Sequence, residues 1–412
     1  MTEENKISSL KQIVFHFSIK GIGGVQNLYL NLIKELYKRK IVSKLIYYNN
    51  TWLTNQLNAA GIQYELFDLE KDNIEELNLF IKREDILITT FEFYIENIYK
   101  IKPYIFYWVV FPRGKKNNNQ KLLSKFFDLT LRVLIKKMNE KNGFYFMDST
   151  CSKTYFAYYG MVFSEKYLPI PIQLSDYRIE KYSIKYSQVQ NRKVAVSYIG
   201  RAEAWKVNPL KKIITDLSSV ASKLNLSFTV HIITDNINEF VKLLSCESSL
   251  SIEIQFHSNL YGNSLADFLK NNIFINFAMG TSCLESAAVG VPSVLIDGCF
   301  TEYPVHYKYR WLFENEGYSI GNIIDEHSIT NGHDLVGLFE NIVVSEFFFN
   351  EISKKCFQYA EINHNIVNVT DLFLIGVRTC SNKLHLNFAY LLRMYKFQFF
   401  KFLHLADKKW TK

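Results

Sequence analysis

A chain of 412 residues is longer than one hydrophobic core usually serves, so two domains are expected. Its 48% apolar and 21% charged residues suffice for packed cores and exclude a disordered chain. Six cysteines, at 151, 246, 283, 299, 356 and 380, form no CxxC pair, which excludes a disulfide scaffold and a structural zinc site and points to a reducing compartment. The net charge of +8 suits an anionic partner, but the basic residues build no recognisable nucleic-acid module, so no nucleic-acid partner is expected. Residues 1–10 are polar, the apolar run 13–17 is too short for a signal peptide, and no stretch reaches the roughly 20 apolar residues of a spanning helix. A cytoplasmic location is expected. With 33 Phe and 26 Tyr the chain is aromatic throughout, so aromatic clusters alone say little about function.

A strand at 13–18 leads into a glycine-rich turn at 19–24, after which Val25, Leu28, Tyr29, Leu32, Ile33 and Leu36 recur at helical spacing. The glycines fall as G-x-G-G without the acidic residue of a dinucleotide fingerprint. Gly23 and Gly24 therefore mark either a tight turn or a place where a ligand approaches the backbone closely. Strands at 42–48, 62–67, 86–89 and 104–110 alternate with helices at 51–60 and 74–81. A polar loop at 115–119 precedes a basic amphipathic helix, 122–138, which fits an anionic lipid surface or a solvated helix on a sheet equally well. A strand at 144–147 and a helix at 149–159 follow, then a stiff extended segment around Pro169 and Pro171. Composition shifts at Lys193, which places the first domain at 1–190.

The second domain, 191–376, restarts the alternation with a strand at 194–199 closed by Gly200 and Arg201. A loop at 202–207 is expected next, with Pro209 at the first position of a helix reaching 224. Strands at 228–233 and 252–256 alternate with helices at 237–244 and 261–269. A buried strand at 273–277, a small-residue turn at 279–282 and a helix at 283–289 follow, the helix ended by Gly290 and Pro292 ahead of a strand at 293–296. Residues 377–412 form a third region, basic and aromatic, that reads as a membrane-surface helix or as a closing helix with a basic end. The fold class is α/β, with two Rossmann-like lobes facing each other across a cleft that holds the ligand.

Strand, small-residue turn and helix at 273–289 present backbone N–H groups to an anion, and Glu285, placed in the first turn, suits a pair of sugar hydroxyls. Arg201 and Lys206 follow the first strand of the same domain and share that sheet edge. Arg supplies a planar fork and Lys a mobile charge, a pairing suited to a diphosphate. Alone, each cation reads as a surface residue; with Glu285 and the helix start they make a set that packing does not explain. His16, Glu92 and Asp148 lie near strand ends of the first domain, where a lone histidine or acid is more often structural.

Four segments resemble the GT-B-fold glycosyltransferases, more narrowly the family 4-like group that uses nucleotide sugars. They are GIGGVQNLYLNLIKEL at 21–36, VSYIGRAEAWKVNPL at 196–210, HSNLYGNSLADFLKN at 257–271 and AMGTSCLESAAVGVPSVLID at 278–297. The resemblance implies that Arg201 and Lys206 hold the diphosphate and neutralise the leaving nucleotide. It implies that Gly280, Thr281 and Ser282 cradle phosphate or sugar, that Glu285 binds the ribose hydroxyls, and that Leu260 or its neighbours contact the base. Gly23 and Gly24 would let donor phosphate or acceptor approach the first lobe. Retaining members carry a second glutamate eight positions before this one; here that position is Phe277, so the stereochemistry stays open.

The expected function is metal-independent transfer of a sugar from a nucleotide-sugar donor, a substrate and not a cofactor, to a glycan or lipid-linked glycan acceptor. Surface-polysaccharide assembly on the inner face of the cell membrane fits the two basic amphipathic segments. The alternatives are a nucleotide-sugar epimerase on the same two-lobed fold and a non-catalytic nucleotide- or glycan-binding protein.

Overall fold

The computed structural model describes residues 11–17, 24–90, 103–112, 132–133, 135–162, 164–174, 183–244 and 251–383. Gly23, Glu92, the loop at 115–119, most of the basic segment 122–138 and the basic segment after 383 lie outside the described residues. The chain divides into two compact units: 1–169 with 369–412, and 170–368. It leaves the first unit between Pro169 and Ile170, ahead of the 190/191 boundary drawn from composition. Pairing explains the earlier crossing, since Ile172 already bridges to Asn365 inside the second unit. From Val369 to Lys383, the last described residue, the chain belongs to the first unit.

In the first unit the order is β1 (Ile13–His16), α1 (Gly24–Lys38), β2 (Ser43–Tyr47), α2 (Trp52–Ala59), β3 (Tyr64–Asp68), α3 (Leu77–Phe80), β4 (Ile86–Thr89), β5 (Tyr104–Val109), β6 (Phe144–Phe146) and α4 (Ser149–Tyr159). The strands form one parallel sheet in the order β3-β2-β1-β4-β5-β6, the doubly wound arrangement. Strands β1 and β4 are buried at every position, as parallel strands covered on both faces must be. All six apolar positions expected on the first helix are buried in α1. A last helix, whose range is given below, completes this core. Its Phe373 lies 6.1 Å from the Phe15 ring and 5.7 Å from Phe106, and beyond it Asn382 exchanges backbone and side-chain hydrogen bonds with Ile105.

The second unit runs α5 (Ser183–Gln190), β7 (Lys193–Ile199), α6 (Ala204–Leu224), β8 (Ser227–Ile233), α7 (Ile237–Leu244), β9 (Ile252–His257), α8 (Gly262–Asn272), β10 (Ile275–Ala278), α9 (Thr281–Ala288), β11 (Ser293–Leu295), β12 (Gly298–Cys299), β13 (Arg310–Trp311), β14 (Ile323–Ile324), α10 (Leu335–Val343) and α11 (Glu346–His364). The closing helix α12 is Ile366–Thr379. Its sheet has the order β13-β11-β10-β7-β8-β9, parallel except for β13. Chain order therefore reverses between β7 and β10, which creates the crevice where open α/β sheets bind ligands. Both units are thus Rossmann-like. Among the described residues no helix is long and apolar enough to cross a membrane, and Cys151, Cys283, Cys299, Cys356 and Cys380 are buried and unbridged.

One sequence expectation is corrected here. Helix α6 begins at Ala204, not at Pro209, so Lys206 stands in its first turn and Pro209 lies inside it. Proline at that depth forfeits one backbone bond, and the start is held by other means. The amides of Lys206 and Val207 donate to the Glu203 carbonyl, and the Tyr198 hydroxyl donates to that of Lys206.

Between β11 and α10 the chain has little regular structure, and Asp297 organises it. This fully buried carboxylate receives the Arg310 fork at 2.6 and 3.0 Å, the Tyr307 hydroxyl at 3.1 Å and the Asn322 amide at 2.7 Å. Burial opposes the Arg310 charge, but Asp297 outweighs it and holds the guanidinium above its ordinary value. Removing one partner of such a pair strands a buried charge. Arg310→Met is expected to cost about 3–5 kcal/mol of stability, read as a lower urea midpoint.

Candidate active site

The register between β7 and β10 builds the site. Ile199 pairs with Ala278 at the carboxyl ends of these parallel strands, so Gly200-Arg201 and Met279-Gly280 leave the sheet side by side at the reversal of chain order. Gly280 takes φ 68° and ψ −146°, a conformation that a side chain would strain, and α9 starts on the next residue. Its own amide donates to the Ile320 carbonyl at 2.6 Å and is unavailable to a ligand. Of the three amides expected to form a cradle, one is thus already engaged. Those of Thr281 and Ser282 have no hydrogen-bond partner among the described residues and stand at the positive end of the helix.

Arg201 is about half exposed, and its Nη1 lies 3.5 Å from Glu203 Oε1. Lys206, one turn along α6, sits with its ammonium 4.9 Å from the Trp205 ring centroid. Burial first, then the Arg201 charge, lowers the lysine pKa, while Glu203 and Asp235 oppose the shift. A lysine whose charge is opposed by burial and by a neighbouring guanidinium gains from an anion placed beside both. The sequence picked out both cations but not Glu203 or Trp205. Glu203 binds Arg201 and receives the Trp205 indole N–H at 2.7 Å.

Glu285 stands in the second turn of α9, since the helix starts two residues earlier than the sequence suggests. Its carboxyl makes no hydrogen bond or ion pair with the described residues, and burial raises its pKa from 4.5 to about 7. Its helix is fixed from below by a buried polar chain. Ser197 on β7 donates to Asn276 Oδ1 at 2.7 Å, Asn276 Nδ2 donates to Ser286 on α9 at 2.8 Å, and Ser286 lies 2.7 Å from Ser293 on β11. Phe277 is 1% exposed and packs edge-on against Tyr309.

The other expected positions fall as follows. Leu260 is partly buried and packs on the cluster of Ile233, Leu265, Leu269, Ile273, Val289 and Val291. Gly24 is the first residue of α1, and no atom of the described residues lies within 4 Å of where its Cβ would stand; Gly23 lies outside the described residues. His16 ends β1, and burial lowers its pKa to about 4. Asp148 caps α4, accepting the Cys151 amide at 2.7 Å. The sequence reading misses Asp297 and Arg310, since nothing local links positions 297 and 310.

No family model matches the chain, and no curated protein matches it in sequence. Solved structures do match in fold. A glycosyltransferase from Rickettsia africae superposes with a TM-score of 0.58 at 13% identity, covering 90% of this chain and 99% of that one. HepE from Anabaena, solved with UDP and glucose, gives 0.54 at 11% identity, covering 89% and 99%. A TarM variant from S. aureus, solved with fondaparinux, α-GlcNAc-glycerol and UDP, gives 0.53 at 10% identity, covering 89% and 100%. The chain has the GT-B fold, with two Rossmann-like units.

The Glu285 carboxyl makes stability depend on pH. An acid whose pKa is raised on folding is neutral in the folded chain and ionised in the unfolded chain between the two values. Folding therefore loses stability as pH rises from 4.5 to about 7, and the penalty stays constant above. Glu285→Gln removes this term. Its stability relative to the wild type is expected to improve by about 3 kcal/mol between pH 4 and pH 8, measured by urea titration at both values.

Proposed function

We propose that the protein is a metal-independent glycosyltransferase that moves a sugar from a nucleotide-sugar donor to a glycan acceptor in lipid-linked or surface-polysaccharide assembly. The observation that carries this reading is the side-by-side exit of Gly200-Arg201 and Gly280-Ser282 from the sheet, with the unpartnered Glu285 one turn inside α9. The free amides of Thr281 and Ser282 receive the diphosphate at the positive end of the helix. Arg201 meets its oxygens with a planar fork and Lys206 with a point charge.

As the bond between the sugar and the diphosphate breaks, negative charge builds on the departing phosphate oxygen, and two fixed cations stabilise that state more than the ground state. In this reading they do the work that a divalent ion does in other phosphate sites. Glu285 accepts hydrogen bonds from the ribose hydroxyl pair, a role that needs the ionised carboxylate. The backbone near Leu260 lies at the base end. In the first unit Gly23 and Gly24 allow substrate to approach the backbone. The acceptor is read as lipid-linked because 122–138 and 377–412 are basic and amphipathic, suited to an anionic membrane surface on the cytoplasmic side. HepE and TarM were solved with UDP, which makes UDP-sugars the first donors to test.

Arg201→Ala and Lys206→Ala are expected to lower turnover by a barrier increase of about 2–4 kcal/mol each, followed as release of nucleoside diphosphate in the presence of glycan acceptor. Glu285→Ala is expected to weaken nucleotide-sugar binding. Wild-type rates and affinities in all three variants would sink the assignment. Conversion of the nucleotide sugar without any acceptor would replace it with an epimerase.

A further inference from the structure

We infer that Trp205 and Phe300 form an aromatic ledge that takes the apolar face of the donor's hexose. The inference rests on the donor site proposed above and names what holds its sugar half. Phe277 on β10 is buried and offers that sugar no polar group.

The ledge is continuous with the two cations. Glu203 links them, with one oxygen 3.5 Å from Arg201 and the other receiving the Trp205 indole N–H at 2.7 Å. The indole lies flat on bare backbone at β12, for a Cβ on Gly298 would stand 2.5 Å from its ring edge. Phe300 stacks on it with centroids 5.6 Å apart and planes 27° from parallel, yet keeps 68% of its surface exposed. Its backbone is held on both sides, because the Asn208 amide donates to the carbonyls of Cys299 at 3.1 Å and Thr301 at 2.9 Å. An exposed aromatic ring on a clamped backbone, next to two cations, is a preformed surface. Pyranoses offer a face of polarised C–H groups that suits the negative face of such rings.

Sheet order favours the sugar over the base as occupant. β8 and β9, with Leu260 beyond, lie on one side of the β7–β10 crevice, and β11, continuing into β12 and Phe300, lies on the other. A diphosphate across the crevice with its base near Leu260 has its hexose on the ledge side.

Calorimetry on the full chain tests this with UDP-, GDP- and dTDP-hexoses, each set against its parent diphosphate. Phe300→Ala is expected to weaken the best-bound nucleotide hexose about tenfold, with less than about twofold change for the parent diphosphate. Phe300→Tyr, which keeps the ring, is expected to retain wild-type affinity for both. Equal losses for hexose and parent, or no loss for either, overturn the ledge while leaving the diphosphate site standing. A wild-type chain that binds none of these ligands overturns the donor site and the ledge with it.

Discussion

The Asn276 carboxamide is the contact on which the second unit's site depends. It is fully buried on β10, where an unpaired amide would cost about 1–3 kcal/mol. Both of its ends are satisfied by serines, one on β7 and one on α9. A helix with a hydrogen-bonded foot cannot rotate about its axis without breaking that bond. The foot therefore sets where the Thr281 and Ser282 amides point and where Glu285 is held.

A buried ion pair controls the start of the same helix. Asp297 and Arg310 tie down the irregular chain after β11, and Asn322 joins them through its amide. Two residues earlier, Ile320 supplies the carbonyl that engages Gly280. The cap of α9 is thus completed by a loop held in place by an ion pair far along the sequence. Preorganisation of this kind reduces the ordering cost that a ligand must overcome. It also withdraws one of the amides that a local reading assigns to the ligand.

Much of this was legible beforehand, and the reason is periodicity. Buried parallel strands are near-continuous apolar runs, and amphipathic helices between them repeat at 3.6 residues. So β4, α4 and α7 fall at 86–89, 149–159 and 237–244 as expected. The start of α6 was misread because proline usually marks a first turn, and the tertiary bond from Tyr198 that supports an earlier start leaves no local mark. The stretch after 297 was illegible for a related reason: its short strands are held by Asp297, and no hydrophobic repeat announces a salt bridge. At the site, the chemical types of Arg201, Lys206 and Glu285 could be read from sequence. Their coupling could not, since Glu203 and Trp205 acquire meaning only from contacts.

The return of the chain to its first unit has a consequence during synthesis. Phe15 and Phe106 pack against Phe373, and Ile105 bonds with Asn382, so the first sheet lacks part of its cover until those residues exist. The ribosome makes all of 170–368 in between. At usual elongation rates the first-made half therefore waits on the order of ten to forty seconds with an apolar face uncovered. The second unit is contiguous and can fold in that interval. The first-begun unit is then the last whose chain is completed.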